Sequence, residues 1–465
     1  MKQKTSAVNQ ITEGVIWKQL LLFFFPIMLG TLFQQLYNTA DAIIVGRFVG
    51  KEALACVGGS SGQLINLVVG FFVGLSSGAT VIIARYYGAK NKKELNLALH
   101  TASALAIIGS IIITVFGILL APAMLRFMNT PSNVMTGSVI YLRIYFAGIF
   151  FVFVYNIGSA ILRAMGDSKR PLYYLIVCCF INVFLDIFLV VGFNLGITGA
   201  ALATLFSQAV SAILVIRALM KPEEMYQLEP KKIRLHRFLL FSILTIGLPA
   251  GFQSMMYNIA NIIIQSSLNH LGTDAMAAYT AFGKMDAFYW MISGAFSVSI
   301  ATFVGQNYGA GKYSRMKRSV TVCLLMDLAA SLLVSLILIF FGNYLFRLFT
   351  QDAGVIKVGM EIISLLAPSY VLFIFIEIFS SALRGIGDVM IPMLMTCGGV
   401  CVLRILWIFF IVPHFSGIQI ILMCYPISWG VTSILFIIYY YIRQKQFFST
   451  HIASQGKCSV RRKMQ

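Results

Sequence analysis

Residues 161–171 read ILRAMGDSKRP, and residues 382–392 read ALRGIGDVMIP. Aligned, Arg163 falls on Arg384, Gly166 and Asp167 on Gly387 and Asp388, and Pro171 on Pro392, an offset of 221 residues (382 minus 161). The same offset pairs RYYGAKNK (85–92) with QNYGAGKY (306–313). Within a residue or so it also pairs GKEALACVG (50–58) with GTDAMAAYT (272–280) and LYNTADAIIVG (36–46) with MYNIANIIIQ (256–265). Self-similarity at a constant offset is the mark of a duplicated structural unit, so the fold of one half is expected to recur in the other.

The medium of that fold follows from composition. The chain is 59% hydrophobic and 11% charged, and its mean hydropathy is +0.86. A soluble domain carries about 25% charged residues, so the bilayer is the expected solvent. The net charge of +19 does not point to nucleic acid, because the basic residues are scattered over short loops with no basic domain to carry them. The first apolar segment lacks a small-residue cleavage site and is expected to be a retained helix. The eight cysteines lie mostly in apolar runs without zinc spacing, and the five histidines do not cluster. Haem, catalytic zinc and a membrane-embedded enzyme are therefore not expected, nor is any cofactor.

A membrane-crossing helix needs about 20 apolar residues. Twelve runs qualify: 16–45, 52–82, 95–122, 134–160, 171–192, 197–219, 238–268, 274–303, 319–343, 356–382, 390–412 and 418–442. With the amino terminus placed in the cytoplasm, and residues at a span's end counted with the adjoining segment, 27 of the 35 Lys and Arg residues fall on the inner side, 5 on the outer side and 3 deep within spans. That asymmetry places both termini inside, in a multi-pass protein of the inner (cytoplasmic) membrane. Six spans per repeat preserve orientation, so the repeats are parallel, related by an axis along the membrane normal. The expected organisation is an N-lobe (1–220), an inter-lobe linker (221–237), a C-lobe (238–442) and a basic cytoplasmic tail (443–465).

Polar side chains in the spans carry the functional reading. A charge at bilayer depth costs at least ~2.5–3.5 kcal/mol, so it faces a partner or a cavity. Gln34, Tyr37, Asn38 and Asp41 recur at helical spacing on one stripe of the first span, with Pro26 upstream. The fifth span sets Asn182 and Asp186 on one face, the sixth Thr204 and Gln208, and the fourth adds Asn156. Two carboxylates, amides and a hydroxyl suit Na⁺ or shared protons. The blander alternative is interhelical hydrogen bonding. The second repeat does not copy the set: Asn261, Leu403, Trp407 and Tyr425 stand at the positions of Asp41, Asn182, Asp186 and Thr204. It has other charges in its spans, Lys284, Asp286, Glu377 and Arg404. Lys284 with Asp286 and Glu377 with Arg404 read as local pairs, the functional alternative being a second proton or substrate-cation site. Gln253, Tyr257 and Asn258 on the seventh span are cavity candidates. So is Tyr37, because it lies on the polar stripe of the first span.

Taken in order and duplicated, these motifs resemble the multidrug and toxic compound extrusion (MATE) family, prokaryotic branch, over nearly the whole chain. They are Pro26 with QLYNTADAIIVG, then KEALACVG, YYGAKN and NYGAGK, LRAMGD and LRGIGD. The resemblance implies an all-α integral membrane fold: twelve transmembrane helices in two pseudo-symmetric six-helix bundles arranged as a V. It implies a secondary antiporter that exports small organic, often cationic, compounds in exchange for Na⁺ or H⁺. In prokaryotic members the ion site is built from the positions occupied here by Asp41, Asn182, Asp186 and Thr204. One branch adds an acid on the seventh helix, where this chain has Gln253, Met256, Asn258 and Asn261. That branch's tenth-helix acid aligns near Phe373, one turn from Glu377. The alternative is a lipid-linked oligosaccharide flippase of the same superfamily, which uses cavity arginines where only Arg404 is a candidate here. Expected partners are the small organic substrate and membrane lipid, with no nucleic acid, and the expected state is a monomer.

Overall fold

The computed structural model describes residues 11–223, 225–415 and 417–463, with the main chain alone at 269 and 447–463. Lys2, Lys4 and the last two residues of the basic tail lie outside the described residues. Every regular element described is helical. Among the described residues twelve helices are long and apolar enough to cross a membrane: α1 (Ile16–Phe48), α2 (Lys51–Gly88), α3 (Lys92–Phe127), α4 (Ser132–Ala164), α5 (Lys169–Gly192), α6 (Gly196–Met220), α7 (Arg237–Leu268), α8 (Thr273–Gly309), α9 (Tyr313–Arg347), α10 (Ala353–Gly385), α11 (Met390–His414) and α12 (Ile418–Gln446). Each coincides with an expected span. Several run longer, α8 by about two turns beyond residue 303, because backbone hydrogen bonding does not stop where the side chains turn polar. Phe116, Leu119, Phe180, Phe184, Phe241 and Phe340 are exposed on their flanks, a surface that only a bilayer solvates at low cost.

The duplicated Gly-Asp motif is a stop followed by a start. Gly166 and Gly387 take left-handed φ values of +92° and +76°, just past the ends of α4 and α10. Residues with a Cβ resist that conformation, so glycine ends both helices. Asp167 then accepts from the backbone N–H groups of Lys169 and Arg170, both at 3.1 Å, and caps α5. Pro171 sits in the first turn of α5, where its missing N–H costs nothing.

Four helices depart from regularity, α12 among them with a turn at Met423. Gly59 interrupts α2 after its first two turns. The end of α5, Ile187–Gly192, is π-helical and begins immediately after Asp186. In α11 a π-helical turn occupies Cys397–Val402, earlier in the helix than its counterpart in α5. Helix α1 runs through Pro26 without interruption, since ring and kink are absorbed inside one continuous helix.

The chain forms two compact units. The first comprises Met1–Asn258, Gly294–Cys323 and Arg384–Val389. In it α4 packs on α6 and α3, and α1 on α5. Phe24 of α1 stacks on Phe296 of α8 (centroids 4.1 Å apart). The repeat-related pair, α7 and α2, meets backbone to backbone: a Cβ on Gly74 would lie 2.5 Å from the amide nitrogen of Gly251. The second unit comprises Ile259–Ser293, Leu324–Leu383 and Met390–Gln465. Its core is aromatic, with Tyr289 and Tyr370 stacked at 3.8 Å and Trp290 and Trp429 beside them.

Candidate functional site

The polar stripe of α1 is split by packing. Successive residues advance about 100° around a helix, so Gln34, Tyr37, Asn38 and Asp41 span roughly a quarter of its circumference. Tyr37 and Asp41 form the buried edge, each 7% exposed, while Gln34 and Asn38 lie on the exposed edge. Helix α5 sets Asn182 and Asp186 one turn apart, both fully buried. Thr204 and Gln208 are buried on α6, and Gln208 Nε2 donates to the Tyr37 hydroxyl at 3.4 Å. Asn156 stands apart from this arrangement. Its amide turns back onto its own helix and donates to the Val152 carbonyl at 2.8 Å.

Five buried atoms here have no hydrogen-bond partner among the described residues: Asp41 Oδ1, Asn182 Oδ1 and Nδ2, and both carboxylate oxygens of Asp186. Asp41 and Asp186 lie within range of each other's charge. Among the described residues neither has a Lys or Arg at ion-pair distance. A buried carboxylate without a partner is unstable, and two within range of each other's charge more so. The arrangement therefore favours a positive species: a proton held between the acids, or a hard cation taking the carboxylates with the Asn182 and Thr204 oxygens. Oxygen donors are the ligands that hard cations take. The π-helical turn after Asp186 frees regular backbone pairing beside it, a common device at functional sites.

One residue near these acids escaped the sequence reading. Tyr141 of α4, 5% exposed, lies within charge range of Asp41, Asp186 and Tyr37. With Tyr145 it makes an i, i+4 pair of hydroxyls inside an apolar span, the same periodic signal that singled out α1.

In the second repeat both expected ion pairs are absent. Lys284 is exposed, and Asp286 instead accepts from the Tyr370 hydroxyl and, at 2.6 Å, from the Trp290 indole. Residues two apart on a helix point to nearly opposite sides, so Lys284 and Asp286 cannot meet. Arg404, 2% exposed, turns to α12. Its Nε donates to Ser428 Oγ at 3.0 Å, and its guanidinium lies 4.0 Å from the Tyr425 ring centroid. Those rings take the place expected of Glu377. Glu377 instead lies within charge range of Asp327, a fully buried acid on α9 that the sequence reading passed over. Ser335 Oγ donates to the Ala367 carbonyl at 2.6 Å. Counting back along α9 and forward along antiparallel α10 from that bond brings Asp327 level with Phe375, about half a turn from Glu377. A single acid within an apolar run was visible in CLLMDLAASLL and is the signal that finds it. On α7, Gln253, Tyr257 and Asn258 are half-buried, and Asn258 donates to its own helix at the Ser254 carbonyl.

Comparison with known proteins bears on this geometry. The family model described as MatE matches residues 26–188 and 249–410, once in each repeat and more than half of the chain together. The chain is 27% identical over 447 residues to the probable multidrug resistance protein YoeA of Bacillus subtilis (strain 168), covering 94% of this chain and 96% of that one. It is 25% identical over 380 residues to an FAD transporter of Shewanella oneidensis, covering 81% and 83%. Its fold matches a solved outward-facing conformation of a multidrug resistance MATE family transporter of the MOP superfamily, with a TM-score of 0.87 and 23% identity over 96% of this chain and 99% of that one. Helices, duplication and family match agree: the chain belongs to the MatE family of multidrug efflux transporters, multi-pass membrane proteins that are not enzymes.

Proposed function

We propose that the protein is a cation-coupled antiporter that exports small organic compounds, often cationic, in exchange for H⁺ or Na⁺ bound in the first repeat. One observation carries the reading: Asp41 and Asp186 are buried within range of each other, with orphaned oxygens and no basic partner. Such a pair gains from binding a cation in one state of the transporter and losing it in another, and that difference couples an ion gradient to the conformational cycle. Asn182 and Thr204 complete the ion site. Tyr37, Gln34, Asn38, Asn156, Gln208, Gln253, Tyr257 and Asn258 are the candidates for substrate contact.

The working parts are the two repeats as lobes, 1–220 and 238–442, joined by the linker 221–237. One chain supplies both, so a monomer suffices. The skew of basic residues supports insertion in the cytoplasmic membrane with both termini inside. The flippase alternative gains no support, since Arg404, its candidate for a pyrophosphate, is engaged by Ser428 and Tyr425.

The test is purified protein in liposomes loaded with a fluorescent organic cation, with either a proton or a sodium gradient imposed. Efflux driven by one gradient and lost in Asp41→Asn and Asp186→Asn is expected. Full gradient-driven efflux in both variants would overturn the coupling site.

A further inference from the structure

Two of the motif pairs that revealed the duplication, RYYGAKNK with QNYGAGKY and ILRAMGD with ALRGIGD, have no part in the ion site, yet they meet each other. Arg85 at the end of α2 and Gln306 at the end of α8 are equivalent positions of the two repeats. Gln306 Nε2 donates to the Ala164 carbonyl at the end of α4, at 2.7 Å. Arg85 Nε donates to the Gly385 carbonyl at the end of α10, at 3.4 Å. Ala164 and Gly385 are themselves equivalent, so each bond is the image of the other. The glycines that follow show the same reciprocity. A Cβ on Gly88 would lie 2.0 Å from the Gln306 carbonyl oxygen, and one on Gly309 would lie 2.0 Å from that of Arg85. At both positions only glycine lets one backbone approach the other. Ala84 and Gly305, again equivalent, touch one another: a Cβ on Gly305 would lie 3.0 Å from that of Ala84. All these residues belong to the first compact unit.

A third element crosses the same end. Residues 11–14 precede α1, and Ile11 and Thr12 are each 6% exposed. Arg315, in the first turn of α9, grips this segment. It donates to the carbonyls of Gly14 and Glu13 at 2.7 Å and of Ile11 at 3.2 Å. Lys312 adds a bond to the Thr12 carbonyl at 2.9 Å. These are charge-assisted contacts to bare backbone, joined by one side-chain ion pair, Lys312 with Glu13 at 3.7 Å, so they depend mainly on the position of the segment.

We infer that the duplicated motifs are the two halves of one latch, in which Arg85 and Gln306 each close on the opposite repeat, and that the segment 11–14, held by Arg315 and Lys312, bars it. A reciprocal contact of this kind is self-complementary and two-state. It is made on both sides or broken on both, as a gate in an alternating transporter requires. The carboxylate site reports ion occupancy, and the latch closes one end of the bundle while that occupancy changes. This role rests on the transport reading above, but the latch itself can be tested without a gradient.

The experiment places a cysteine at Ala84, which is fully buried, in a background lacking the native cysteines, and measures its labelling by a soluble maleimide in the purified protein. Slow labelling is expected, rising at least about tenfold when Gln306→Ala or Arg315→Ala is added. Arg315 bonds to the segment before α1 and to Gln19 in the first turn of that helix, and its variant is the control for misfolding of the first. An unchanged rate in both variants overturns the latch whether or not the protein transports. A second arm pairs Ala84→Cys with Gly305→Cys, whose separation suits a disulfide after a small adjustment. Oxidation is expected to form the bond and stop efflux, with recovery on reduction. Failure to cross-link, or undiminished efflux by the cross-linked protein, refutes it.

Discussion

The two repeats share a backbone and divide the chemistry. In the first, Asp41 and Asp186 lie buried with unpartnered oxygens. In the second, Asn261 and Trp407 stand at those positions. The second repeat has its own buried charges, but at other positions and mostly provided for: Asp286 by Tyr370 and Trp290, Arg404 by Ser428 and two aromatic rings. Even the π-helical turns differ, directly after Asp186 in α5 and two residues ahead of Arg404 in α11. Duplication preserves what packing requires, namely the helix ends and close glycine contacts. It leaves each buried polar position free to change, provided the groups around it change too. The lesson is that an acid with its own donors is held as part of the structure, whereas the acids without them are the ones on which the proposed coupling rests.

The largest effect should come from the unsatisfied pair. Asp41→Asn and Asp186→Asn are each expected to reduce gradient-driven efflux to the level of empty liposomes. The double variant should be no worse than either single one, because the two acids act as a unit. Additive partial losses would show two independent sites. Tyr141→Phe removes a hydroxyl that the first repeat sets near its acids and that the second, with Ile362 at the equivalent position, does not repeat there. It should raise the ion concentration for half-maximal efflux by about three- to tenfold, about 0.7–1.4 kcal/mol, with the maximal rate unchanged. A fall in maximal rate alone would instead make Tyr141 part of the substrate path.

Asp327→Asn probes the exception in the second repeat, a fully buried acid with one unpartnered oxygen. Efflux should persist, with a lower number of ions exchanged per substrate as measured by paired ion and substrate fluxes. Complete loss of coupling would place the principal site in the second repeat and invert the comparison. The smallest effect is expected of Lys284→Gln. Its ammonium is exposed and makes no ion pair among the described residues, so efflux and melting temperature should match the parent's within about twofold and about 2 °C. A large loss would revive an interaction between Lys284 and Asp286.

Much of this molecule was legible because the relevant signals are local. Hydropathy and length marked the twelve helices, and Gly-Asp-x-x-x-Pro announced a helix end and the next beginning. The spacing of Asn182 and Asp186 put them on one face wherever that face turned. Asp327 was equally legible and was passed over, although its isolation in an apolar run is the signal that picked out Asp41. The pairing of Glu377 with Arg404 failed for another reason. A charge count along the chain does not show that Arg404 faces α12, where Tyr425 and Trp429 offer it two rings.

The sequence by itself determined the duplication, the number of helices, their stops and starts, and the confinement of the Asp41, Asn182 and Asp186 set to one repeat. All of these are written in order and period along a single strand of residues. The tertiary structure alone decided which edge of the α1 stripe is buried, that Tyr141 joins the acids, and that the two copies of one motif bond reciprocally to each other. Those outcomes depend on how each helix is rotated about its axis and which backbone its glycines admit. That rotation is set by contacts with residues hundreds of positions away, which no local period encodes.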